Sequence, residues 1–423
     1  MDEGLVIGYD FCKDFCRISY LDPRTGEPAD HVFSDEQNPY IVQNSICRKK
    51  GSETWLIGEA AYETALFGDG YVVDKLLKLV SMDGFATFEG RRYSAEDLLT
   101  NFLRVSLKSL FDSQGTNRVA ALFFSVQELS RELLDTIMRC AKRLGLERKR
   151  VHIISHTESF LFFVLSQKRE LWSNLSVLYD LSGDGLNYYE MEILRGMRPN
   201  VAYARRTFLE EGFSVDILEN PSGYRMADNI MTQSVERMLN RKLISSAYLS
   251  GNGMDNVQAW GTNFLKTLCS RRKVFFIENL FARGAVLAAA DSLRETSAYP
   301  FSIMCEGRIS VDITVEVCRN LNKVTLPLAR VGGNWYESRA DFDIIPDGED
   351  TLVLKVRKLG ERRPAEIGIP LNDIANRGNK KTRFGVSLAF TREDAFRVQV
   401  RDKGFGEFFP STDAVVEKVF TVG

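Results

Sequence analysis

Residues 5–22 read LVIGYDFCKDFCRISYLD. An apolar run closes on Tyr9-Asp10, a short polar turn follows, and a second apolar segment starts at Phe15. That pattern is strand, tight turn, strand. A carboxylate at the end of an apolar strand has three candidate explanations. It belongs to a plain hairpin, to a metal clip formed by Cys12 and Cys16, or to one wall of a phosphate site. A structural zinc site takes four ligands. Cys12 and Cys16 sit on opposite sides of the turn, with no Cys/His pair close by in the sequence. Buried, unreactive thiols are therefore the expectation for this pair.

The plan occurs a second time. VLYDLSGDGLNYYEMEIL, residues 177–194, again has an apolar run ending in Tyr179-Asp180, a four-residue turn and another strand. Asp14 of the first turn corresponds to Asp184 of the second. A turn between two strands points successive backbone N–H groups into a hollow that accepts an anion. Ser182, Gly183, Asp184 and Gly185 have that chemistry, because glycine lets a ligand approach the backbone closely. The first turn, Cys12-Lys13-Asp14, has no glycine but carries the Lys13 cation. Asp10 and Asp180, one at each strand end, are placed to hold a hydrated Mg²⁺ between them. One such hairpin alone is ordinary structure; two at matching places point to a shared anion site. A third turn, Ser250-Gly251-Asn252-Gly253, follows another apolar strand and by itself is a generic turn.

Between and after the hairpins, strands alternate with helices. AEDLLTNFLRVSLKSLF (95–111) has helical apolar spacing, RVAALFFSV is a buried strand, and SRELLDTIMRCAKRLGL is a helix capped by Ser130. A further helix is expected from about Ala227 to Leu239, then strands at AYLSGNG and KVFFI and a helix over NLFARGAVLAAADSL. This alternation predicts an α/β domain with largely parallel central strands, duplicated into two lobes, over residues 1–298. From 299 to 423 the period becomes two: Val311, Ile313, Val315 and Val317 alternate with polar residues, as do Phe384, Val386, Leu388 and Phe390 with small ones. An antiparallel β-domain is expected there.

Composition narrows the function. The net charge of −2, with 26% charged residues, gives no field to recruit nucleic acid or an anionic membrane. The longest apolar stretches, such as FLFFVLS, are too short to span a bilayer. Seven scattered cysteines argue against a disulfide framework, and Met-Asp-Glu-Gly is not the start of a signal peptide. A cytoplasmic, soluble protein is expected. There is no Walker A sequence, no dinucleotide fingerprint and no HExxH, and only three histidines occur.

The order strand–Asp–turn–strand, its repeat, then strand–Gly-x-Gly resembles the actin, sugar-kinase and heat-shock ATPase superfamily. The closer resemblance is to the seventy-kilodalton heat-shock chaperones (DnaK type). IGYDFCKDF stands at that family's first phosphate loop, WLIGEAAYETAL at its Gly-Asp-Ala-Ala helix, LYDLSGDGLNYYEMEIL at its second phosphate loop and AYLSGNG at its adenosine loop. IPLNDIANRGNKKTRFGVSLAFTREDAFRVQVRDKGFGE is similar to its peptide-binding β-sandwich. The fold implied is a ribonuclease H-like, actin-like ATPase domain followed by a β-sandwich, without the family's helical lid.

The resemblance implies ATP and Mg²⁺ as cofactors, with the two turns cradling phosphates and Asp10 and Asp180 holding the metal through water. It implies Lys75, in GYVVDKLLKLV, as the catalytic lysine. Gly251, Asn252 and Gly253 would carry the adenosine. His156 or Glu158 would stand at the catalytic glutamate's place. The sequence departs from the family at Cys12, Lys13, Asp14 and Asp184. Asp14 and Asp184 would both approach the terminal phosphates, and two like charges ~4 Å apart repel by about 4 kcal/mol at an effective dielectric near 20. A slow ATPase at most is expected.

Two readings of function follow closely on one another. One is a nucleotide-gated, chaperone-like binder of a peptide or protein client; the other is a nucleotide-free pseudo-ATPase scaffold. An actin-like assembly protein or a small-molecule kinase comes third, and no base aspartate for a kinase is identifiable. GGNWYE (332–337) offers Trp335 and Tyr336 as client anchors or, alternatively, as aromatic packing inside the β-domain. DKGFGEFFPS (402–411) is expected to be a turn whose aromatics pack onto the sheet.

Overall fold

The computed structural model describes residues 4–33, 38–183, 185–197, 199–319, 321–374, 377 and 380–422. The chain divides into two compact units, one of residues 1–193 and 202–300, the other of residues 194–201 and 301–423. It is a mixed α/β protein with several sheets.

Two central sheets organise the first unit. Strands β1 (Leu5–Phe11), β2 (Phe15–Leu21), β3 (Pro28–Asp30), β4 (Val119–Val126) and β5 (Val151–Ser155) lie in the order β5-β4-β1-β2-β3. Strands β6 (Leu175–Ser182), β7 (Gly185–Leu194), β8 (Val201–Leu209), β9 (Ile244–Ser250) and β10 (Lys273–Phe276) lie in the order β10-β9-β6-β7-β8. In each sheet a hairpin supplies an antiparallel pair, one later strand joins the hairpin's first strand in parallel, and a second later strand joins that one, again in parallel. Every residue of β1 and of β4 is buried, which is why both read as continuous apolar runs rather than alternating ones.

Parallel pairing requires crossovers, and helices provide them. The short α1 (Leu76–Ser81) is followed by α2 (Ala95–Gln114). Ser94 caps α2 in a reciprocal box with Asp97, and Gly115 ends it in the left-handed conformation. Ser130 caps α3 (Arg131–Arg143), and Ser155 caps α4 (His156–Ser166). The helix expected from Ala227 begins earlier, as α5 (Pro221–Met238). Its first turn is largely exposed, so apolar periodicity shows only from Ala227 onward, whereas proline in the first turn is the true start signal. α5 and α6 (Thr262–Leu268) cover the second sheet in one core with Tyr179, Leu181, Leu249 and Trp260.

The last helix of the unit, α7 (Leu280–Ser292), returns to the beginning of the chain. A Cβ on Gly8 would lie 2.1 Å from Ala282 O, and one on Gly284 would lie 2.0 Å from Ser159 O. Glycine at these two places lets α7 sit directly on β1 and on α4. Arg283 adds an ion pair to Asp30, with its Nε 3.1 Å from the carboxylate.

The second unit is β-rich. Strands β11 (Val311–Arg319), β12 (Asn322–Ala329), β14 (Thr351–Lys358) and β15 (Ala365–Pro370) form one antiparallel sheet, ordered β12-β11-β14-β15. Strands β13 (Arg339–Ile344), β16 (Phe384–Arg392), β17 (Ala395–Asp402) and β18 (Val415–Thr421) form another, ordered β13-β16-β17-β18. Val311, Ile313 and Val315, and Phe384, Val386, Leu388 and Phe390, are the buried faces of β11 and β16.

At GGNWYE the packing alternative holds: Trp335 is buried, with the half-buried Tyr336 edge-on to it at 5.8 Å. One local expectation changes: Phe405 and Phe408 are exposed, Phe408 at 92%, rather than packed onto the sheet. The turn is held instead by Asp402, which takes hydrogen bonds from Arg377, Thr412 and the Gly404 N–H. Among the described residues no helix is long and apolar enough to cross a membrane.

Candidate functional site

Sheet register explains where the two aspartates stand. Asp10 lies beside Ser125 of β4 and opposite Arg17 of β2. Asp180 lies beside Ser250 of β9 and opposite Asn187 of β7. The two carboxylates thus occupy equivalent positions, each with a serine on the neighbouring parallel strand, and both are buried.

The turns that follow them meet. A Cβ on Gly183 would lie 3.0 Å from Asp14 Oδ2, so the tips of the two hairpins are neighbours. A Cβ on Gly251 would fall 2.2 Å from Leu181 O and 2.7 Å from Asp180 Oδ1, and one on Gly253 would fall 2.5 Å from the Leu181 side chain. The Gly251–Gly253 turn therefore lies against the second hairpin because it has no side chains there. Asn252 between them is exposed, and Ser182 is buried at the end of β6. Gly185 opens β7 at φ +96°, a conformation that favours glycine. Asp184 lies outside the described residues.

Asn44 shapes the first turn. Its Nδ2 donates to Cys12 O at 2.6 Å and to Lys13 O at 3.3 Å, and its backbone N–H donates to Asp14 O at 2.8 Å. The Cys12 N–H closes the turn onto Phe15 O at 3.0 Å, which takes that amide away from any anion. Lys13 is exposed at the tip. Lys75 lines an open pocket of about 560 Å³ together with Asp14, Asn44, Tyr62 and Asp74, so it reaches the rim of the first turn. Its backbone is left-handed, φ 52°, a strained state for a non-glycine residue and one that recurs at functional sites.

The two residues considered for the catalytic glutamate's place separate clearly. His156 Nε2 lies 2.8 Å from Asp10 Oδ1. An ionised carboxylate only accepts, so this N–H donates to it. The imidazole stacks on Phe281 of α7 at 4.0 Å with the rings 7° from parallel, which fixes its plane. Glu158, two residues on, is buried, and its backbone N–H is capped by the Ser155 hydroxyl. Cys12 also comes to Asp10, its Sγ 3.5 and 3.6 Å from the two carboxylate oxygens. The Cys12–Cys16 clip does not form: Cys16 is fully buried and accepts from the Tyr9 hydroxyl at 3.2 Å. Burial pushes the Cys16 thiol up to about 12, consistent with an inert side chain.

Sequence reasoning missed Arg17. It is buried directly across from Asp10, its Nη1 donates to Glu278 O at 3.0 Å, and its Nε and Nη2 have no hydrogen-bond partner among the described residues. Ser250 Oγ, His156 Nδ1 and both amide atoms of Asn279 are likewise buried and unpartnered there. Buried polar groups are normally satisfied. Similar orphans occur elsewhere, at Tyr93, Ser234 and Thr382 among others, but those at Arg17, His156 and Ser250 belong to residues on or next to the strands that carry the two aspartates. The signal available in the sequence was the hairpin itself, since a four-residue turn, 12–15, between Phe11 and Cys16 pairs Arg17 with Asp10.

Mg²⁺ at Asp10 does not fit equally well. That ion takes oxygen ligands and keeps its waters. Here the Asp10 carboxylate is bonded to an imidazole and flanked by a thiol.

A family model described as "Family of unknown function (DUF5716) C-terminal" matches residues 27–306. A second, described as "Domain of unknown function (DUF8552)", matches residues 308–422. The first spans more than half of the chain, so the chain belongs to the DUF5716 family. No curated protein matches the sequence.

Proposed function

We propose that this DUF5716-family chain is a divergent, actin- and heat-shock-type nucleotide-binding protein. Its first unit holds ATP, and its β-rich second unit, a sandwich of the heat-shock type, binds a peptide or protein client. One observation carries the reading: two sheets of the same strand order each carry Tyr-Asp near the end of the hairpin's first strand, and their turns meet at Gly183 and Asp14, against the Gly251–Gly253 turn. In this reading Lys13 and Arg17 supply positive charge to the phosphates and the turn backbones shape the cradle. Lys75 faces the terminal phosphate, and the 251–253 turn takes the adenosine. ATP would supply the anion that satisfies the orphaned groups and the switch that changes client affinity.

Hydrolysis is slow at best in this proposal. His156 is engaged with Asp10 rather than poised over a water, which leaves the buried Glu158 to orient the attacking water in this reading. The same bond favours the second reading, a scaffold that keeps the fold without nucleotide.

Calorimetric titration of ATP, with and without Mg²⁺, separates them. Micromolar binding weakened at least about tenfold by Lys13→Glu, the loss of roughly one charge contact, supports the nucleotide reading. Absence of heat from the wild type in both conditions leaves only the scaffold.

A further inference from the structure

Asp10, Cys12 and His156 place a carboxylate oxygen, a thiol sulfur and an imidazole nitrogen all within 4.8 Å of one another. Asp10 and His156 are buried, while Cys12 is half-buried at the turn and leaves a way in. We propose that these three side chains bind a thiophilic divalent transition ion, of which Zn²⁺ is the type, as a three-ligand site with its fourth position open.

Geometry supports this. Zinc bond lengths of about 2.3 Å to sulfur and about 2.0–2.2 Å to nitrogen and oxygen give tetrahedral edges of about 3.6 Å for S–O and about 3.4 Å for N–O. The Cys12–Asp10 separations, 3.5 and 3.6 Å, already match the first edge. The His156–Asp10 separation is 2.8 Å because a proton occupies the place of the metal, and it has to open by only a fraction of an ångström.

Ligand chemistry agrees. A thiolate with an imidazole selects zinc-like ions, whereas magnesium wants oxygen alone. A divalent ion with one thiolate and one carboxylate has no net charge, so the site can be buried without an uncompensated ion. The proton balance closes as well. Cys12 releases its thiol proton to solvent as the sulfur binds. Nε2 gives up its N–H to bind the metal, and the imidazole stays neutral by carrying a proton on Nδ1, which has no partner among the described residues. Phe281 holds the ring plane throughout.

The site needs no nucleotide and stands apart from the reading above. The test uses the full chain, stripped by a chelator and titrated with Zn²⁺ against a chromophoric competitor, then with Co²⁺ as a spectroscopic probe. The expected result is one equivalent bound, a sulfur-to-cobalt charge-transfer band and intense tetrahedral ligand-field bands. An excess of Mg²⁺ should not displace the ion. Cys12→Ser should remove the charge-transfer band and weaken Zn²⁺ by more than about 100-fold, beyond the 10–100-fold that lost outer-shell partners cost. Cys269→Ser with Cys318→Ser, which removes the two exposed thiols, should change neither. Circular dichroism checks that each variant is folded, and His156→Gln serves as a second ligand variant. No stoichiometric uptake by the wild type, or uptake unchanged in folded Cys12→Ser, overturns the proposal. ATP titration reports separately on the nucleotide reading, so the failure of one is distinguishable from the failure of the other.

Discussion

Replacing His156 by phenylalanine tests how the heart of the first unit is held together. The ring is only 4% exposed and the Asp10 side chain 1%. Phenylalanine preserves the volume and the parallel stack on Phe281, so the substitution removes little besides the donor to Asp10. What remains for that carboxylate is a thiol at 3.5 Å, a weak donor. Stranding a buried carboxylate without its imidazole donor costs about 1.5–3 kcal/mol. With a urea slope of about 3 kcal/mol per molar, the midpoint should fall by roughly 0.5–1 M. Asp10→Asn placed on top of His156→Phe exchanges the stranded charge for a neutral amide. It should restore roughly 2 kcal/mol, within the range of coupling energies between contacting residues. The assay is urea unfolding of metal-free protein in chelator, followed by tryptophan fluorescence in a Trp335→Phe background. Trp55, Trp172 and Trp260 then report on the first unit alone. A midpoint shift of less than about 0.3 M, below what one buried hydrogen bond accounts for, would refute the reasoning. So would a double variant no more stable than the single.

Three further outcomes follow. His31, buried against Ser109 with its ring edge-on to Phe33, is held neutral by burial, which lowers it from 6.5 to about 4. The folded state therefore binds fewer protons, so the contribution is full above pH 6.5 and is lost as pH falls toward 4; it is worth roughly 3 kcal/mol. His31→Gln should flatten the pH dependence of the first unit's urea midpoint over that window. In the second unit, burial alone would raise the Asp402 carboxyl, but hydrogen bonds from Arg377, Gly404 and Thr412 outweigh it and hold the group well below the usual carboxylate range. That stabilisation is present above about pH 4 and is lost as acid protonates the group; Arg377→Ala should cost the second unit about 3 kcal/mol at pH 7 and make its stability less sensitive to acid, read by Trp335 fluorescence. Finally, Gly284→Ala would put a methyl group 2.0 Å from the Ser159 carbonyl oxygen, which is backbone and cannot swing away. It should destabilise the first unit by about 3 kcal/mol, and a loss under about 1 kcal/mol in urea unfolding would show that α7 is not packed as described.

The sequence alone settles what depends on neighbours along the chain. Ser94 with Asp97, Ser130 and Gly115 mark helix ends because caps act within one turn. The apolar runs of β1 and β4 and the alternation in β11 and β16 follow from which faces of a strand are covered, and the α/β class follows from their order. Even the pairing of Arg17 with Asp10 is implicit in a tight hairpin. The tertiary structure decides what depends on crossovers. Asp10 and Cys12 offered no third partner within reach along the sequence, yet His156 meets the Asp10 carboxylate from 146 residues away, because parallel β4 and β5 lie beside β1 in one sheet and α4 begins where β5 ends. The exposure of Phe408 was likewise out of reach, since a turn's side chains take their faces from whatever sheet lies beneath them. Local hydrogen bonding and periodicity are written in consecutive residues. The convergence of sulfur, nitrogen and oxygen at Asp10 is a product of strand order, which no short stretch of sequence contains.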